Sequence, residues 1–411
     1  MQLTSLCSWR AGKRAGLLCL FLLAGGNPAL AQTQVPDPWE QARVRIGPVA
    51  FTPRLVLKNL GWDSNVFNES EDPKQDFTVT AGGLVDWWMR AGDVRLISTV
   101  QADYVYYTTY ASQRGWNHGE NLRIEYRLNR IRPYGLGSYL STADRLGYEI
   151  NTRQRHSEGA LGAGLDVRAT SKTQLDFSAR QTSYTYPSDA VYGGQSLAES
   201  LSRTGRIGSV TLRYSATPLT ALTVLGEYRE ERYDESPERD NDSFRIMPGV
   251  QLDPFALIKG SARVGYLHLH APSPSIPDYS GVVADVNLSY VLLGRTRFSV
   301  GVNRDIQFSY DIAESYYVLT GVSGGVRQGL GMGWDVEARG YNQRLAYQPT
   351  AGTSAGATGR VDRVQSFGGG VGYRLGQSIR VGFNIDYYRQ LSDYYPGYNT
   401  LRYGLSSTYE F

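Results

Sequence analysis

The chain of 411 residues is poor in cysteine, histidine and methionine, and no long apolar run follows its first 31 residues. Both cysteines, Cys7 and Cys19, lie in that N-terminal stretch, so the rest of the chain has no disulfide or thiol chemistry. A membrane-spanning helix needs about 20 consecutive apolar residues, which no later segment provides. The sequence therefore excludes a disulfide scaffold and a helical membrane protein.

Residues 1–31 have the three parts of a secretory signal peptide. Three basic residues between positions 10 and 14 precede an apolar core at 15–24, and Ala-Leu-Ala at 29–31 matches a cleavage site. Cleavage there removes three of the 42 basic residues and leaves 39, against 39 acidic residues. A nucleic-acid-binding protein needs a concentrated basic excess, so the neutral mature chain excludes a nucleic-acid partner.

The strongest pattern in the mature chain is an alternation of apolar and polar residues with a period of two. Leu122, Ile124 and Tyr126, for example, alternate with Arg123 and Glu125. Successive side chains of a strand point to opposite faces, so each such run predicts a strand with one apolar and one charged face. The predicted strands begin at residues 49, 77, 94, 119, 132, 156, 173, 205, 220, 243, 255, 280, 296, 315, 331, 361, 378 and 400.

The connections between these eighteen strands alternate strictly between tight turns and long loops, such as 91–93 and 186–204. This alternation is typical of an outer-membrane barrel, with tight periplasmic turns, long external loops, an apolar outside and a polar inside. We therefore predict a transmembrane antiparallel up-and-down β-barrel of 18 strands at residues 48–411, after a short periplasmic segment at 32–47. A soluble β-sandwich is disfavoured because it would bury its apolar face in a core.

Aromatic residues of the apolar face gather near both ends of the predicted strands, as at the two headgroup boundaries of a membrane. The predicted outer girdle contains Tyr104, Tyr106, Tyr228, Tyr266, Phe308, Tyr310, Tyr316, Tyr387 and Tyr403. The predicted periplasmic girdle contains Tyr126, Tyr134, Tyr214, Tyr290, Phe298, Trp334, Tyr373, Tyr409 and Phe411. Tyr409 and the terminal Phe411 also resemble the signature that outer-membrane proteins present to the barrel-assembly machinery, so we expect them to direct membrane insertion.

Local motifs offer no enzyme chemistry. Gly321–Gly325 matches G-x-S-x-G by its letters, but it lies in a predicted strand instead of a strand-to-helix turn. His268 and His270 share one strand face without a third metal ligand nearby in sequence. The sequence thus predicts no catalytic residue, no metal site and no cofactor.

The inward face of the barrel is the predicted functional surface, because its arginines slightly outnumber its carboxylates and its tyrosines could stack on sugar rings. We expect most inward charges to pair across strands. The predicted pore-lining residues are Arg95, Asp103, Arg123, Glu125, Arg127, Arg180, Tyr184, Arg213, Glu227, Arg229, Arg263, Asp305, Arg339 and Tyr388, and Tyr107, Tyr139 and Tyr341 are also expected to point inward.

Residues 51–55, Phe-Thr-Pro-Arg-Leu, precede residues 61–67, Gly-Trp-Asp-Ser-Asn-Val-Phe. This opening resembles that of outer-membrane β-barrel porins often encoded beside exopolysaccharide secretion genes. The resemblance implies a channel for polysaccharide export, with periplasmic export proteins as partners, alongside outer-membrane lipid and lipopolysaccharide. The alternatives are a general small-solute porin and a surface adhesin or structural barrel with a loop-occluded lumen.

Overall fold

The computed structural model describes residues 38–145, 148–150, 152–253, 256–351 and 359–411. The signal peptide predicted at residues 1–31 lies outside the described residues. No helix in the described ranges is long and apolar enough to span a lipid bilayer.

Eighteen antiparallel strands form one closed sheet, and each strand pairs with its two sequence neighbours. The strands are β1 (Val49–Asp63), β2 (Asp76–Ala91), β3 (Val94–Tyr107), β4 (Gly115–Tyr126), β5 (Ile131–Thr142), β6 (His156–Arg168), β7 (Thr173–Thr185), β8 (Arg203–Thr217), β9 (Thr220–Tyr233), β10 (Asn241–Leu252), β11 (Ile258–His270), β12 (Tyr279–Leu292), β13 (Thr296–Phe308), β14 (Tyr316–Gly331), β15 (Trp334–Gln348), β16 (Val361–Leu375), β17 (Ile379–Ser392) and β18 (Tyr398–Glu410). The predicted number and order of strands are confirmed.

The barrel closes between β1 and β18, whose pairing runs from Arg54 opposite Glu410 to Asp63 opposite Arg402. Asn59, at φ 54°, lies in an irregularity of β1. Because β1 also pairs with β2, the ladder has no open edge, as backbone amides in lipid require.

Burial in this protein is inverted relative to a soluble protein. Large apolar side chains are exposed on the outside of the wall, including Val100 at 40%, Leu161 at 74% and Phe367 at 59%. Glu125 and Glu231 are almost completely buried on the inside. This distribution fits a lipid-facing outer surface around a polar lumen.

Tight turns join the strands at the periplasmic end. Leu293 and Gly294 connect β12 to β13 with φ of 50° and 68°. Positive φ at both central positions of the turn suits the right-handed twist of the paired strands, and glycine adopts it without steric cost.

The N-terminal segment lies at the end of the barrel that carries the tight turns. Helix α1 (Pro38–Gln41) precedes a short strand, Val44–Ile46, which pairs with the start of β1. Trp39 packs against a cluster formed by the inward-facing Ala50, Trp88 and the neighbouring Ala42.

The loops at the opposite end are long and contain helix α2 (Leu197–Leu201), two short paired strands (Val191–Tyr192 and Gln195–Ser196) and two 3₁₀ turns (Ala111–Gln113 and Pro237–Arg239).

Candidate functional site: the lumen and its outer mouth

The structure places all fourteen predicted pore-lining residues on the inner side of the wall or, for Arg127, in the turn after β4. Three of these residues lie together: Arg127 Nε is 2.6 Å and Arg123 Nε is 3.4 Å from the buried carboxylate of Glu125. Contact of these residues with a solute stays a prediction.

One ion-pair network lies on the periplasmic side of β14–β17. Arg339 Nη2 is 2.7 Å from Asp386 Oδ2, and Arg380 Nη2 is 2.6 Å from Asp335 Oδ1. Each pair joins β15 to β17 across the intervening strand β16. The side chains pass over a glycine of β16, Gly368 or Gly372, where a Cβ would collide with them. The glycines of β16 therefore clear a path for cross-strand ion pairs.

A second network lines β9, β10 and β13. Arg245 bridges two carboxylates, with Nε 3.3 Å from Glu227 and Nη1 2.8 Å from Asp305. Arg229 approaches Glu227 at 3.4 Å and Glu231 at 3.6 Å. These five residues thus form one ion-paired strip of the wall.

Three predicted lining arginines stand apart from both networks. No carboxylate of the described residues lies within 4.0 Å of Arg180, Arg213 or Arg263. Buried nitrogens of two of them, Arg213 Nη1 and Arg263 Nε, lack a hydrogen-bond partner in the described part of the chain. Arg213 and Arg263 lie in one cross-strand row with Thr223 and Gly249 between them. This basic row places two guanidinium groups without a carboxylate partner on the inner face of the wall.

Arg180 and Arg263 also line a small cavity with Ser178, Ser209 and Glu227. The cavity combines guanidinium and hydroxyl donors with one carboxylate. Such a set can hydrogen-bond hydroxyl groups or anions of a solute.

Two predicted lining tyrosines lie higher in the lumen. Arg203 lies 4.2 Å from the ring of Tyr184, and the rings of Tyr388 and Tyr398 stack with centroids 5.8 Å apart. Both tyrosines lie where the external loops fold inward.

The described residues of the loop between β5 and β6, 143–145, 148–150 and 152–155, reach across the lumen; we call them the crossing loop. Arg145 donates to the carbonyl of Val66, while the rings of Tyr148 and Tyr341 have centroids 5.8 Å apart. Tyr341 belongs to β15, which lies across the ring of eighteen strands from β5 and β6. The crossing loop therefore spans the lumen from wall to wall.

Glu149 joins the crossing loop to the loop between β13 and β14. Its carboxylate accepts hydrogen bonds from Ser309 Oγ at 2.5 Å and from the backbone N–H of Tyr310 at 3.1 Å. Burial raises the pKa of Glu149 to about 7, against the opposing effects of the Ser309 hydrogen bond and the Arg360 charge. The junction therefore contains a carboxyl group that titrates near neutral pH.

An apolar cluster surrounds this junction at the outer mouth. Ile150, Tyr186, Leu197, Leu201 and Tyr310 are buried together, although they come from three different loops. Such a cluster excludes water from the centre of the mouth and stabilises the folded-in loops.

The tip of the β13–β14 hairpin bends into the mouth. Pairing of β12 with β13 stops at Ala284 opposite Arg304, whereas β13 and β14 stay paired to Phe308 opposite Tyr316. The buried guanidinium of Arg239 holds the hairpin loop by donating to the carbonyls of Ser309 and Ser315, at 2.6 and 3.0 Å.

This bend corrects part of the predicted outer girdle. Phe308 contacts Tyr233 and Arg203 inside the barrel, and Tyr310 and Tyr316 are buried under loops. Alternation still places them on the expected strand face. The prediction was wrong because the hairpin leaves the plane of the wall and turns that face inward.

Tyr134 and Tyr139 of β5 were assigned to the wrong faces. Tyr134 is buried and donates to Asp176 at 2.8 Å inside the barrel, whereas Tyr139 is 41% exposed beside His118. Apolar residues occur on both faces of this strand, and the outward face also has two glycines, so alternation does not distinguish the faces.

The motif at residues 61–67 fastens the closing strands. Asp63 accepts from Arg402 Nε at 2.7 Å and Thr400 Oγ1 at 2.8 Å, while Asn65 Nδ2 donates to the carbonyls of Glu69 and Asn399. These bonds tie β1 and its loop to β18. Val66 and Phe67 then pack inward on Val105, Tyr107 and Tyr110.

The residues predicted to direct insertion lie at the periplasmic end of β18. The rings of Tyr409 and Phe411 meet edge to face with centroids 4.6 Å apart, and both are exposed on the outer surface. His268 and His270 also face outward, where they contact Ser280 at 2.7 Å and Asp278 at 3.1 Å. In the described ranges, no cluster of three or more residues is suited to hold a metal ion.

Comparison with solved structures finds similarity at low sequence identity. A BenF-like porin from Pseudomonas fluorescens Pf-5 is 11% identical, with 88% of this chain and 98% of that chain covered and a TM-score of 0.51. OpdK from Pseudomonas aeruginosa is 10% identical, with 88% and 98% covered and a TM-score of 0.48. No curated protein matches the chain.

The sequence profile of one family covers nearly the whole mature barrel. It matches residues 37–408, from the segment before β1 almost to the end of β18. The lumen lined by charged residues and the lipid-facing exterior agree with this match. The chain therefore belongs to the family described as Putative beta-barrel porin 2, and it is a porin-like channel of the outer membrane.

Proposed function

We propose that the channel carries a hydrophilic polysaccharide outward and that the folded-in loops close it until export. The observation that carries the proposal is the basic row of Arg213 and Arg263, which lie on the inner face of the wall with no carboxylate of the described residues within 4.0 Å. Donors of this kind suit the many hydroxyl oxygens of a sugar chain. The resemblance of residues 61–67 to porins near exopolysaccharide genes supports polysaccharide as the solute.

The crossing loop provides a way to keep such a channel closed. It is anchored by Arg145 to the β1–β2 loop, by Tyr148 to β15 and by Glu149 to the hairpin loop. Loss of these anchors would open the mouth while the paired wall below stays intact. A periplasmic export partner would deliver the growing sugar chain to the channel. The barrel-assembly machinery would insert the barrel into the outer membrane.

Planar-bilayer recording tests the channel directly. We expect little current from the unaltered protein and a much larger one from Tyr148→Ala/Glu149→Ala, because that variant releases the crossing loop. The matched control, Glu235→Ala/Glu238→Ala, alters two exposed loop residues and leaves the mouth closed.

The same recordings test the solute. Dextran, a neutral polysaccharide, should reduce the current of the open variant, and Arg180→Ala or Tyr184→Ala in that variant should weaken the block. Dextran without effect on an open pore would favour a small-solute porin instead.

The interlocked loops favour one alternative, a structural or adhesive barrel with a permanently closed lumen. A pore that stays closed in every loop-shortened variant would refute the channel and support that alternative. Ion selectivity adds a second criterion, since Arg213→Gln/Arg263→Gln should shift the open variant from anions toward cations. Arg327→Gln, at a position already paired with Glu337, should shift selectivity less.

A further inference from the structure

A row of three arginines and one threonine crosses the outer surface of four neighbouring strands near the external end. Arg304, Thr320, Arg344 and Arg363 are successive backbone partners on β13, β14, β15 and β16. They share strand faces with exposed lipid-facing residues, since Arg363 lies four positions before Phe367. We call these four residues the outer row.

Arg344 and Arg363 lie directly opposite each other, which is unfavourable for two like charges. Within the described ranges, no carboxylate lies within 4.0 Å of any arginine of the outer row. The neighbouring Asp362 does not neutralise it, because it points inward and binds Arg360. The outer row therefore holds an uncompensated positive charge.

Arginines on the other side of the barrel provide a contrast. Arg206 and Arg232 also face outward near the external end, but Arg206 lies 3.9 Å from Glu230 and Arg232 lies 2.7 Å from Asp242. Positive charge at this level is thus neutralised by the protein on β8–β10 and left open on β13–β16.

The surroundings of the outer row indicate its depth in the membrane. Two residues closer to the periplasm along each strand, Asn342, Gln365 and Arg389 face outward on β15, β16 and β17. One step further lie Phe367 and Tyr387, whose aromatic rings suit the headgroup boundary. The outer row therefore stands just beyond that boundary, at the level of headgroup phosphates and sugars.

We propose that the outer row binds the phosphorylated sugar headgroup of an outer-leaflet glycolipid, a lipopolysaccharide. A phosphate between Arg344 and Arg363 would accept charge-assisted hydrogen bonds from both guanidinium groups and cancel their repulsion. The amides of Asn342 and Gln365 and the hydroxyl of Thr320 provide partners for sugar hydroxyls. The site is on the outer wall and does not depend on which solute uses the lumen.

The test uses delipidated full-length barrel in detergent, titrated with purified lipopolysaccharide and followed by native mass spectrometry. We expect Arg344→Gln/Arg363→Gln to weaken binding at least tenfold, whereas Arg206→Gln/Arg232→Gln, with the same loss of charge, binds like the unaltered protein. Equal binding by both double variants would overturn the proposal. Heat-dependent gel migration verifies that each variant is a folded barrel.

Two further binding experiments use the unaltered barrel, so their results do not depend on the folding of the variants. Dephosphorylated lipopolysaccharide should bind at least tenfold more weakly, and inorganic phosphate should not displace the intact lipid at equal concentration. Displacement by inorganic phosphate would assign the site to a free anion, and unchanged binding of the dephosphorylated lipid would exclude a phosphate site.

Thermal stability gives a result of opposite sign with and without lipid. Without lipopolysaccharide, Arg344→Gln/Arg363→Gln should unfold at a higher temperature than the unaltered protein, because the repulsion is gone. With lipopolysaccharide, the unaltered protein should gain more stability than the variant. An equal gain for both would contradict the proposal.

Discussion

The periplasmic side of the lumen and its outer mouth are held together by different kinds of contact. On the periplasmic side, ion pairs such as Arg380–Asp335 join strands of one continuous sheet. At the outer mouth, Glu149 and Arg239 bind backbone and hydroxyl groups of a loop more than 60 residues away. The wall is therefore built from local pairing, while the mouth is an assembly of distant loops that can separate without unfolding the sheet.

The largest effect is expected from a charge on the lipid side of the wall. Val100→Arg should destabilise the barrel by about 2–4 kcal/mol, because Val100 is exposed to lipid near the middle of β3. Gln101→Arg, one residue further and facing the lumen, should be tolerated. Urea titration of the barrel folded into vesicles measures both, and equal costs would mean that the two faces are interchanged.

The second effect concerns assembly of the wall. Phe411→Ala should lower the amount of protein in the outer membrane while export to the periplasm continues, since Phe411 completes the aromatic end of β18. Ser407→Ala, on the same strand face, is the control. Cell fractionation and immunoblotting measure both, and unchanged levels for Phe411→Ala would remove its role in insertion.

At the mouth, the ionisation of Glu149 should make closure depend on pH. Its pKa in the closed mouth, about 7, is above the ordinary value of 4.5, so the closed mouth binds the proton more tightly than the open one. Closure is therefore most stable below pH 4.5 and weakens as the pH rises from about 4.5 to 7. Open probability in planar bilayers should be higher at pH 8 than at pH 5.

Glu149→Gln separates this effect from other titrations, since the charges of Arg360 and Asp311 also act on the carboxyl group. The variant should show a flat response between pH 5 and 8, and the exposed Glu235→Gln should keep the slope. A slope retained by Glu149→Gln would assign the pH response to another group.

The smallest effect is expected within the ion pairs of the wall. Gly372→Ala adds a Cβ beneath the Arg380 guanidinium and should disturb its pairing with Asp335, at a cost of about 1 kcal/mol. Gly208→Ala, where the added Cβ meets nothing within 4 Å, is the matched control. Thermal unfolding compares them, and identical midpoints would show that the pair adjusts without loss.

The comparison of wall and mouth also separates what could be predicted from what could not. Alternation placed Arg213, Arg263 and Arg339 on the inner face, because a charge on the lipid face within the membrane is strongly destabilising. The alternation did not predict that Gly368 and Gly372 would let ion pairs form between β15 and β17 across β16. That requires the register of three adjacent strands, which residue periodicity does not contain.

The crossing loop was beyond the reach of the sequence pattern. Loops have no fixed period, so nothing in residues 143–155 indicated that Tyr148 would reach Tyr341 or that Glu149 would meet Ser309. The apolar Ile150 in an external loop is a local signal of inward packing, since an extended solvated loop gains nothing from it.

The sequence by itself determined the barrel, its strand order and the charged inner surface, because these follow from neighbour-to-neighbour pairing and from the two-residue period of strands. Only the tertiary structure decided that the β13–β14 hairpin turns inward, so that Phe308 and Tyr316 leave the lipid surface. It alone decided also that Arg344 and Arg363 stand opposite each other. Both outcomes depend on how different segments of the chain meet, and the two-residue period within one strand does not contain that information.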